Sequence, residues 1–242
     1  MNKKIYVVGG SLGYAEWMLP LGNKLVYDKN DADIFVFTGG ADLDPELYGE
    51  PEGSHTYCNK RRSAEEKQYF DFAVKNGIKM WGTCLGSQTL GVLGVAGTKL
   101  IQHVNHPSNH KVILPYHKNL ALPVPSCHHQ LVHFDPNQST EGKDYLLIAY
   151  TPRLSPVHLN GYDQDYELGE DYKEVEGFFI PSIGALSFQT HFEFLNLDHP
   201  SVKVAQNLFE EYLSYVEMYI SNSVRKQAFH FLRFYLYYHD QY

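Results

Sequence analysis

The stretch Met80-Trp81-Gly82-Thr83-Cys84-Leu85-Gly86-Ser87-Gln88 constrains the fold of this chain more than any other. Residues 78–81 read as a buried strand, and the segment after Cys84 reads as a helix running through Gln88 to about Leu93. A strand that enters a helix through Gly-x-Cys-x-Gly turns so sharply that its central residue takes a strained backbone, and only small neighbours fit beside it. Gly82 and Gly86 meet that requirement. Cys84 then lies at a helix N-terminus, where unpaired N–H groups and the helix dipole favour a thiolate, the form that attacks carbonyls. The competing reading is a small buried hydrophobe between two elements, the commoner fate of a lone cysteine.

A second polar constellation lies at Ser187-Phe188-Gln189-Thr190-His191-Phe192-Glu193, after an apolar run over 183–188 that ends like a core strand. Residues two apart in a strand share a face, so His191 and Glu193 are expected to touch if the strand conformation continues through them. A carboxylate on one ring nitrogen orients the imidazole and stabilises its cation, leaving the other nitrogen to take a proton from Cys84. On this reading Cys84 is the nucleophile, His191 the base and Glu193 its orienter.

The remaining pattern places these motifs in an α/β fold. Short apolar segments over 4–8 and 34–38 close in Gly9-Gly10 and Gly39-Gly40, as core strands of a parallel sheet do. A polar loop over 41–61 follows, and Ser63-Ala64-Glu65-Glu66 is a capping box for a helix that reaches about Asn76 and ends at Gly77. This alternation predicts an open, mostly parallel sheet flanked by helices, with its site at the carboxyl ends of the strands. From Gly97 onward the chain becomes mainly β, with extended pieces over 99–104, 111–114, 145–150 and 175–180. Residues 151–174 form either an ordered lid or a flexible insertion. After His199-Pro200, a helix carries Ala205, Leu208, Phe209, Tyr212, Leu213, Val216 and Tyr219 at helical spacing. The segment 224–238, with Phe229, Phe231, Phe234, Tyr235 and Leu236, has aromatics around nearly its whole circumference and is expected to bury within this chain or in a homodimer. The expected division is a catalytic domain over 1–200 and a C-terminal helical extension over 201–242.

Composition narrows the function classes. At 242 residues, 43% hydrophobic and 20% charged, the chain is long enough for one sizeable core. Its formal charge of -8 argues against nonspecific nucleic-acid binding. No apolar run has the length of a membrane span, and the N-terminus enters a strand too soon for a signal peptide. Three cysteines, Cys58, Cys84 and Cys127, make a disulfide framework unexpected; a reducing, cytoplasmic setting fits a working thiol. Among 13 histidines no cluster has zinc-ligand spacing, and His103, His106 and His110 lack an acidic or thiol partner in the sequence, so neither metal nor other cofactor is expected.

Four motifs together resemble the class I, triad-type glutamine amidotransferase domains, and most closely their free-standing gamma-glutamyl-gamma-aminobutyrate hydrolase (peptidase C26-like) branch. These are residues 33–45 with the sequel Leu47-Tyr48-Gly49-Glu50, the nucleophile motif Cys84-Leu85-Gly86-Ser87-Gln88, the loop Ser126-Cys127-His128-His129-Gln130 and the ending Gln189-Thr190-His191-Phe192-Glu193. The likeness runs from the first strand to about residue 197. The chain departs from the family's pattern in Phe192, where a proline is usual, in Leu85 and Ser87, where Arg and Met are usual, and in Arg62-Ser63-Ala64-Glu65-Glu66, which lacks the signature's aspartate.

The resemblance implies a flavodoxin-like fold and a glutamyl-thioester mechanism. The N–H of Leu85 is an expected oxyanion donor by its place beside the nucleophile; the resemblance adds Gly40 as the second, with Gly39, Gln88, His128 and His129 lining the substrate pocket. The blander readings are a tight strand exit at Gly39-Gly40 and a solvent-facing Gln88. Cys127 is read as packing, and Asp42 and Asp44 as capping residues that stiffen their loop. Three function classes follow: a self-sufficient hydrolase of gamma-glutamyl amides, a glutaminase subunit delivering ammonia to a separate synthetase, and a triad-bearing binding protein without turnover.

Overall fold

The computed structural model describes residues 2–134, 145–169 and 171–221, with side chains described as far as Val216. Its strands are β1 (Lys4–Val8), β2 (Lys24–Leu25), β3 (Ile34–Phe37), β4 (Lys79–Thr83), β5 (Lys99–Val104), β6 (Asn109–Leu114), β7 (Leu120–Pro125), β8 (Gln130–His133), β9 (Leu146–Pro152), β10 (Val157–Leu159), β11 (Lys173–Ile180) and β12 (Ala185–Phe188). Its α-helices are α1 (Gly13–Glu16), α2 (Lys60–Asn76), α3 (Leu85–Gly94) and α4 (Pro200–Ser221).

Nine strands form one mixed sheet in the order β2-β1-β3-β4-β12-β11-β9-β6-β7. The first five pair in parallel, and the remaining pairings are antiparallel. The expected sheet architecture is therefore present. β3 is buried at all four positions, as a strand with helices over both faces must be. β7 carries Pro123 and Pro125 and lies at the sheet edge, the position that tolerates residues without an N–H donor. A second sheet, β10-β5-β8, stands apart from the first.

Two apolar cores form. One gathers Val8, Phe35, Phe37, Phe70, Met80 and Leu90 from β1, β3, β4, α2 and α3. The other holds Ile5, Trp17, Trp81, Phe188, Phe192 and Phe209. Its aromatic centre brings Trp17 to 4.9 Å from Trp81 and Phe209 to 5.8 Å from Trp81, ring centre to ring centre. The helical spacing read after Pro200 corresponds to α4, whose Ala205, Leu208, Phe209, Tyr212, Leu213 and Val216 are all buried in this second core. The segment 224–238 and the expectation of its burial lie outside the described residues.

Three expectations need correction. The cap of α2 is Asn59, whose side-chain oxygen accepts the Arg62 N–H at 3.1 Å; Ser63 lies inside the helix and its hydroxyl accepts the Asp44 N–H at 3.1 Å. Asparagine caps as well as serine does, and the Asp44 loop competes for the hydroxyl. The strand before the elbow extends to Thr83 rather than ending at Trp81. Residues 151–174, apart from Glu170, take up ordered structure: the end of β9, all of β10 and the start of β11.

Docking of α4 makes a stability prediction. Phe209→Ala is expected to cost about 3–5 kcal/mol, as other buried Phe→Ala changes do. Thermal unfolding would register that as a clearly lowered midpoint; a shift indistinguishable from zero would contradict the packing of α4 in the core.

Candidate active site

The carboxyl ends of three adjacent strands, β3, β4 and β12, converge. β4 leads into Cys84, which has φ 53° and ψ -110° and is the N-cap of α3. Positive φ at a residue with a side chain is strained by about 1–3 kcal/mol and persists only where the surroundings enforce it. Here they do. The Gly86 N–H donates to the Thr38 carbonyl at 3.1 Å, the Cys84 N–H to the Phe188 carbonyl at 3.1 Å, and any side chain at Gly86 would collide with the Phe37 carbonyl. The elbow is thus stitched to the strands on both sides of β4.

The Gly39-Gly40 loop leaves β3 beside this turn. A side chain at Gly40 would run into the Arg62 guanidinium and Leu85, and one at Gly39 would press on Tyr14 and on His191 Cε1. Arg62, unassigned from sequence, clamps the loop: its Nη2 donates to the Gly39 carbonyl at 2.9 Å and to Thr38 Oγ1 at 2.9 Å, while Nε pairs with Glu66 at 2.9 Å. The other Glu66 oxygen accepts the Thr89 hydroxyl at 2.8 Å, which extends the network to α3. Its sequence signal was the i,i+4 pair Arg62–Glu66 in the first turns of α2.

After β12 the chain does not remain extended. His191 precedes a 3-10 turn, Phe192–Phe194, and its Nδ1 meets Glu193 Oε1 at 2.6 Å. The expected pair forms by a tight turn instead of a strand face. Phe192, where the family has proline, is buried against Trp17 and Phe188, which fixes that turn to the aromatic core. The His191 ring stacks on Phe194 at 4.6 Å with planes 5° apart, and its buried Nε2 has no hydrogen-bond partner.

Electrostatics correct the thiolate expectation. Burial pushes the Cys84 thiol up to about 12, with Cys127, Glu193 and Asp42 raising it further and the Leu85 N–H pulling it down. Desolvation therefore outweighs the helix terminus, and the resting sulfur keeps its proton near neutral pH. Burial, with the negative charges at Glu193 and Cys84, likewise lifts the Tyr14 phenol to about 12.

The other sequence candidates divide. Gln88 is buried, and its Nε2 donates to the Gln130 carbonyl at 3.0 Å; Gln189 Nε2 joins the same carbonyl at 3.2 Å. Both brace the Ser126–Gln130 loop. His129 is half-buried and bonds Asp42 Oδ2 at 3.0 Å, while that carboxylate oxygen also accepts the Tyr57 N–H at 2.8 Å. Asp44 caps the turn Pro45–Tyr48 through the Glu46 N–H at 3.2 Å, the capping role read from sequence. Cys127 is exposed, so it does not fill the packing role expected of it. His128 is buried and directed at Glu176, in a cluster with His106 and His110. His103, His106 and His110 do have acidic partners, Glu174 and Glu176. Those carboxylates lie on β11, far along the chain, which is why spacing did not reveal them.

The comparisons with known proteins bear on this geometry. A Peptidase C26 family model matches residues 15–142, a span that holds the Gly39-Gly40 loop, the elbow and the Ser126–Gln130 loop. The chain belongs to the Peptidase C26 family. Its fold is that of class I glutamine amidotransferase domains. A putative glutaminase-type component of GMP synthase from Thermoplasma acidophilum aligns with TM-score 0.54 at 20% identity, over 90% of this chain and 98% of that one. A structure of PurLQS from Thermotoga maritima aligns with TM-score 0.56 at 16% identity, over 86% and 99% of the two chains. The glutaminase domain of Trypanosoma brucei CTPS with bound acivicin gives 0.54 at 13% identity, over 88% and 94%. No match to an individually curated protein sequence emerges. Among the described residues no helix is long and apolar enough to cross a membrane. The family assigns this chain to enzymes that hydrolyse glutamine-type amides.

The buried thiol makes a pH prediction. In a Cys58→Ser, Cys127→Ser background, alkylation of Cys84 in the free protein is expected to rise about tenfold per pH unit from pH 7 to 10, because the thiolate fraction keeps growing below its pKa. A rate that levels off at or below pH 8 would contradict the desolvated thiol.

Proposed function

We propose that this Peptidase C26 member is a self-sufficient hydrolase of gamma-glutamyl amides acting through a glutamyl thioester, with Cys84, His191 and Glu193 as its catalytic triad. In the first step the Cys84 proton passes to His191 Nε2 as the sulfur bonds to the amide carbonyl carbon. The resulting oxyanion is received by the N–H groups of Leu85 and Gly40. Collapse returns the proton from His191 to the departing ammonia or amine and leaves the glutamyl group on sulfur. Water, deprotonated by His191, then attacks the thioester, releasing glutamate and restoring the thiol. Glu193 holds the ring so that Nε2 is the free nitrogen throughout. Gly39 and His129 border the glutamyl site, whereas Gln88 acts on it indirectly through the Gln130 carbonyl.

The observation that carries this reading is the 2.6 Å His191–Glu193 bond with a buried, unpartnered Nε2 next to the elbow, all within a single chain. The Arg62 clamp and the Gly86-to-Thr38 bond support an oxyanion loop held in place without a second polypeptide. The isolated protein is accordingly expected to release glutamate from a gamma-glutamyl amine in a cytoplasm-like reducing buffer without ATP. An enzyme inert toward glutamine and every gamma-glutamyl amine tried, which gains glutaminase activity when an ammonia-accepting synthetase is added, would overturn the hydrolase reading in favour of the synthetase-dependent one.

Substitutions test the roles separately. Cys84→Ala is expected to lower kcat by a thousandfold or more, on the order of other nucleophile losses, while Cys58→Ala and Cys127→Ala retain most activity. His191→Ala should approach the loss at Cys84, and Glu193→Gln should lose less because the proton acceptor remains. Steady-state kinetics with equal, small effects at His191 and Glu193 would refute the base assignment.

A further inference from the structure

Behind the Ser126–Gln130 loop lies a second cluster that the hydrolase chemistry does not use. His103 from β5, His106 from the turn after it, His110 from β6, His128 and His158 from β10 surround Glu174 and Glu176 of β11. Both carboxylates are completely buried. The rings touch one another, with His106 and His128 centroids 4.6 Å apart and those of His103 and His158 4.4 Å apart. Two buried carboxylates among imidazoles need compensating positive charge, either from protonated histidine or from a cation.

The distances discriminate between these. His110 Nε2 to Glu176 Oε1 at 2.9 Å and His158 Nε2 to Glu174 Oε1 at 3.2 Å are hydrogen bonds. By contrast, His128 Nε2 lies 3.7 Å from Glu176 Oε2, and His106 Nε2 lies 3.8 Å from Glu176 Oε1. These are too long for hydrogen bonds, and they approach the separation of roughly 3.3–3.6 Å between donor atoms that share a tetrahedral ion at ~2.0–2.2 Å. His106 Nε2, His128 Nε2 and Glu176 Oε2 are all buried without a hydrogen-bond partner. His106, His128 and Glu176 offer donor atoms within 4.8 Å of one another.

The back of His106 is arranged as a metal-bound imidazole requires. Its Nδ1 meets Ser155 Oγ at 3.0 Å and lies 3.4 Å from Glu174 Oε2, a hydroxyl and carboxylate that fix the ring and leave Nε2 to coordinate. Glu174 is itself anchored by the Leu154 N–H at 3.0 Å and the Ser155 N–H at 2.9 Å. A cavity of about 320 Å³, lined by Arg153, Val157, His158, Asp165 and Tyr166, reaches His158 at the edge of the cluster and offers a route inward.

We propose that His106, His128 and Glu176 bind one divalent transition-metal ion of zinc's class, with His110, Glu174 and Ser155 as supporting groups. Two histidines and a carboxylate form a donor set suited to zinc, with a fourth position for water or for His110. The ion joins the small sheet, through the turn after β5, to β11 of the large one. It also ties down His128, and with it the loop whose Gln130 carbonyl receives Gln88 and Gln189. The role is structural, and it stands independently of the reaction assigned to Cys84.

The test is elemental analysis of the full-length protein purified from zinc-supplemented cells, followed by chelation and titration of the stripped protein with Zn²⁺ and Co²⁺. The proposal predicts about one equivalent of zinc per chain. It also predicts a melting temperature that falls on stripping and recovers with Zn²⁺, and the visible bands of four- or five-coordinate Co²⁺. Glu176→Gln should abolish these bands. Ser155→Ala, which only removes the hydroxyl behind His106, should weaken Zn²⁺ binding by about 10- to 100-fold and serves if the first variant does not fold. Wild-type protein that contains no zinc and neither binds nor is stabilised by either ion would overturn the site and leave the cluster as a protonated histidine–glutamate network. Undiminished Zn²⁺ affinity in a folded Glu176→Gln protein would overturn the ligand assignment.

Discussion

The candidate active site depends on how closely the start of α3 can approach the end of β3. The bond from the Gly86 N–H to the Thr38 carbonyl exists only because position 86 has no side chain to meet the Phe37 carbonyl. That contact holds Cys84 at φ 53° and brings the N-terminal N–H groups of α3 beside the Gly39-Gly40 loop. The strain at Cys84 is therefore maintained by two flanking strands, and the apolar runs of β3 and β4 supply the burial that offsets it. A larger residue at 86 would disturb the nucleophile and its oxyanion loop together.

A second constraint acts from the opposite face of the sheet. The aromatic core that receives α4 also receives Phe192, the residue between His191 and Glu193. The 3-10 turn that joins this pair is thus anchored by packing, where family relatives have the stiffness of proline. Burial has an electrostatic consequence as well: it opposes ionisation of Cys84 more strongly than the helix terminus favours it. A neutral thiol beside an oriented imidazole suits general-base activation, in which the proton moves only as the carbon–sulfur bond forms. The Arg62–Glu66 pair acts on both catalytic elements, because one partly buried cation orders the Gly39-Gly40 loop and, through Glu66 and Thr89, the elbow helix.

Local features were legible in the sequence. The elbow, both Gly-Gly strand exits, the helix ending at Gly77 and the apolar face of α4 all follow from short-range spacing. So did the pairing of His191 with Glu193, although not the turn that achieves it. The cap at Asn59 was hidden by Ser63, an equally good candidate three residues from a glutamate. Side chains acting across long separations were less visible. Gln88 looked like a substrate contact, yet its donor meets the Gln130 carbonyl from another part of the chain. His128 looked like a pocket residue, and its ring instead faces Glu176 on β11. No periodicity reports which strands become neighbours, so a histidine–glutamate cluster assembled from β5, β6, β10 and β11 leaves no local signature.

Covalent attack by Cys84 is the step on which the proposed chemistry turns. Its most direct test is rapid acid quenching of the protein during turnover of a gamma-glutamyl anilide, followed by intact-mass measurement and peptide mapping. The expected result is a glutamyl group attached to the peptide that carries Cys84, present in the Cys127→Ala protein and absent from Cys84→Ala. Attachment at Cys127, or glutamate release by a Cys84→Ala protein at an undiminished rate, would contradict it.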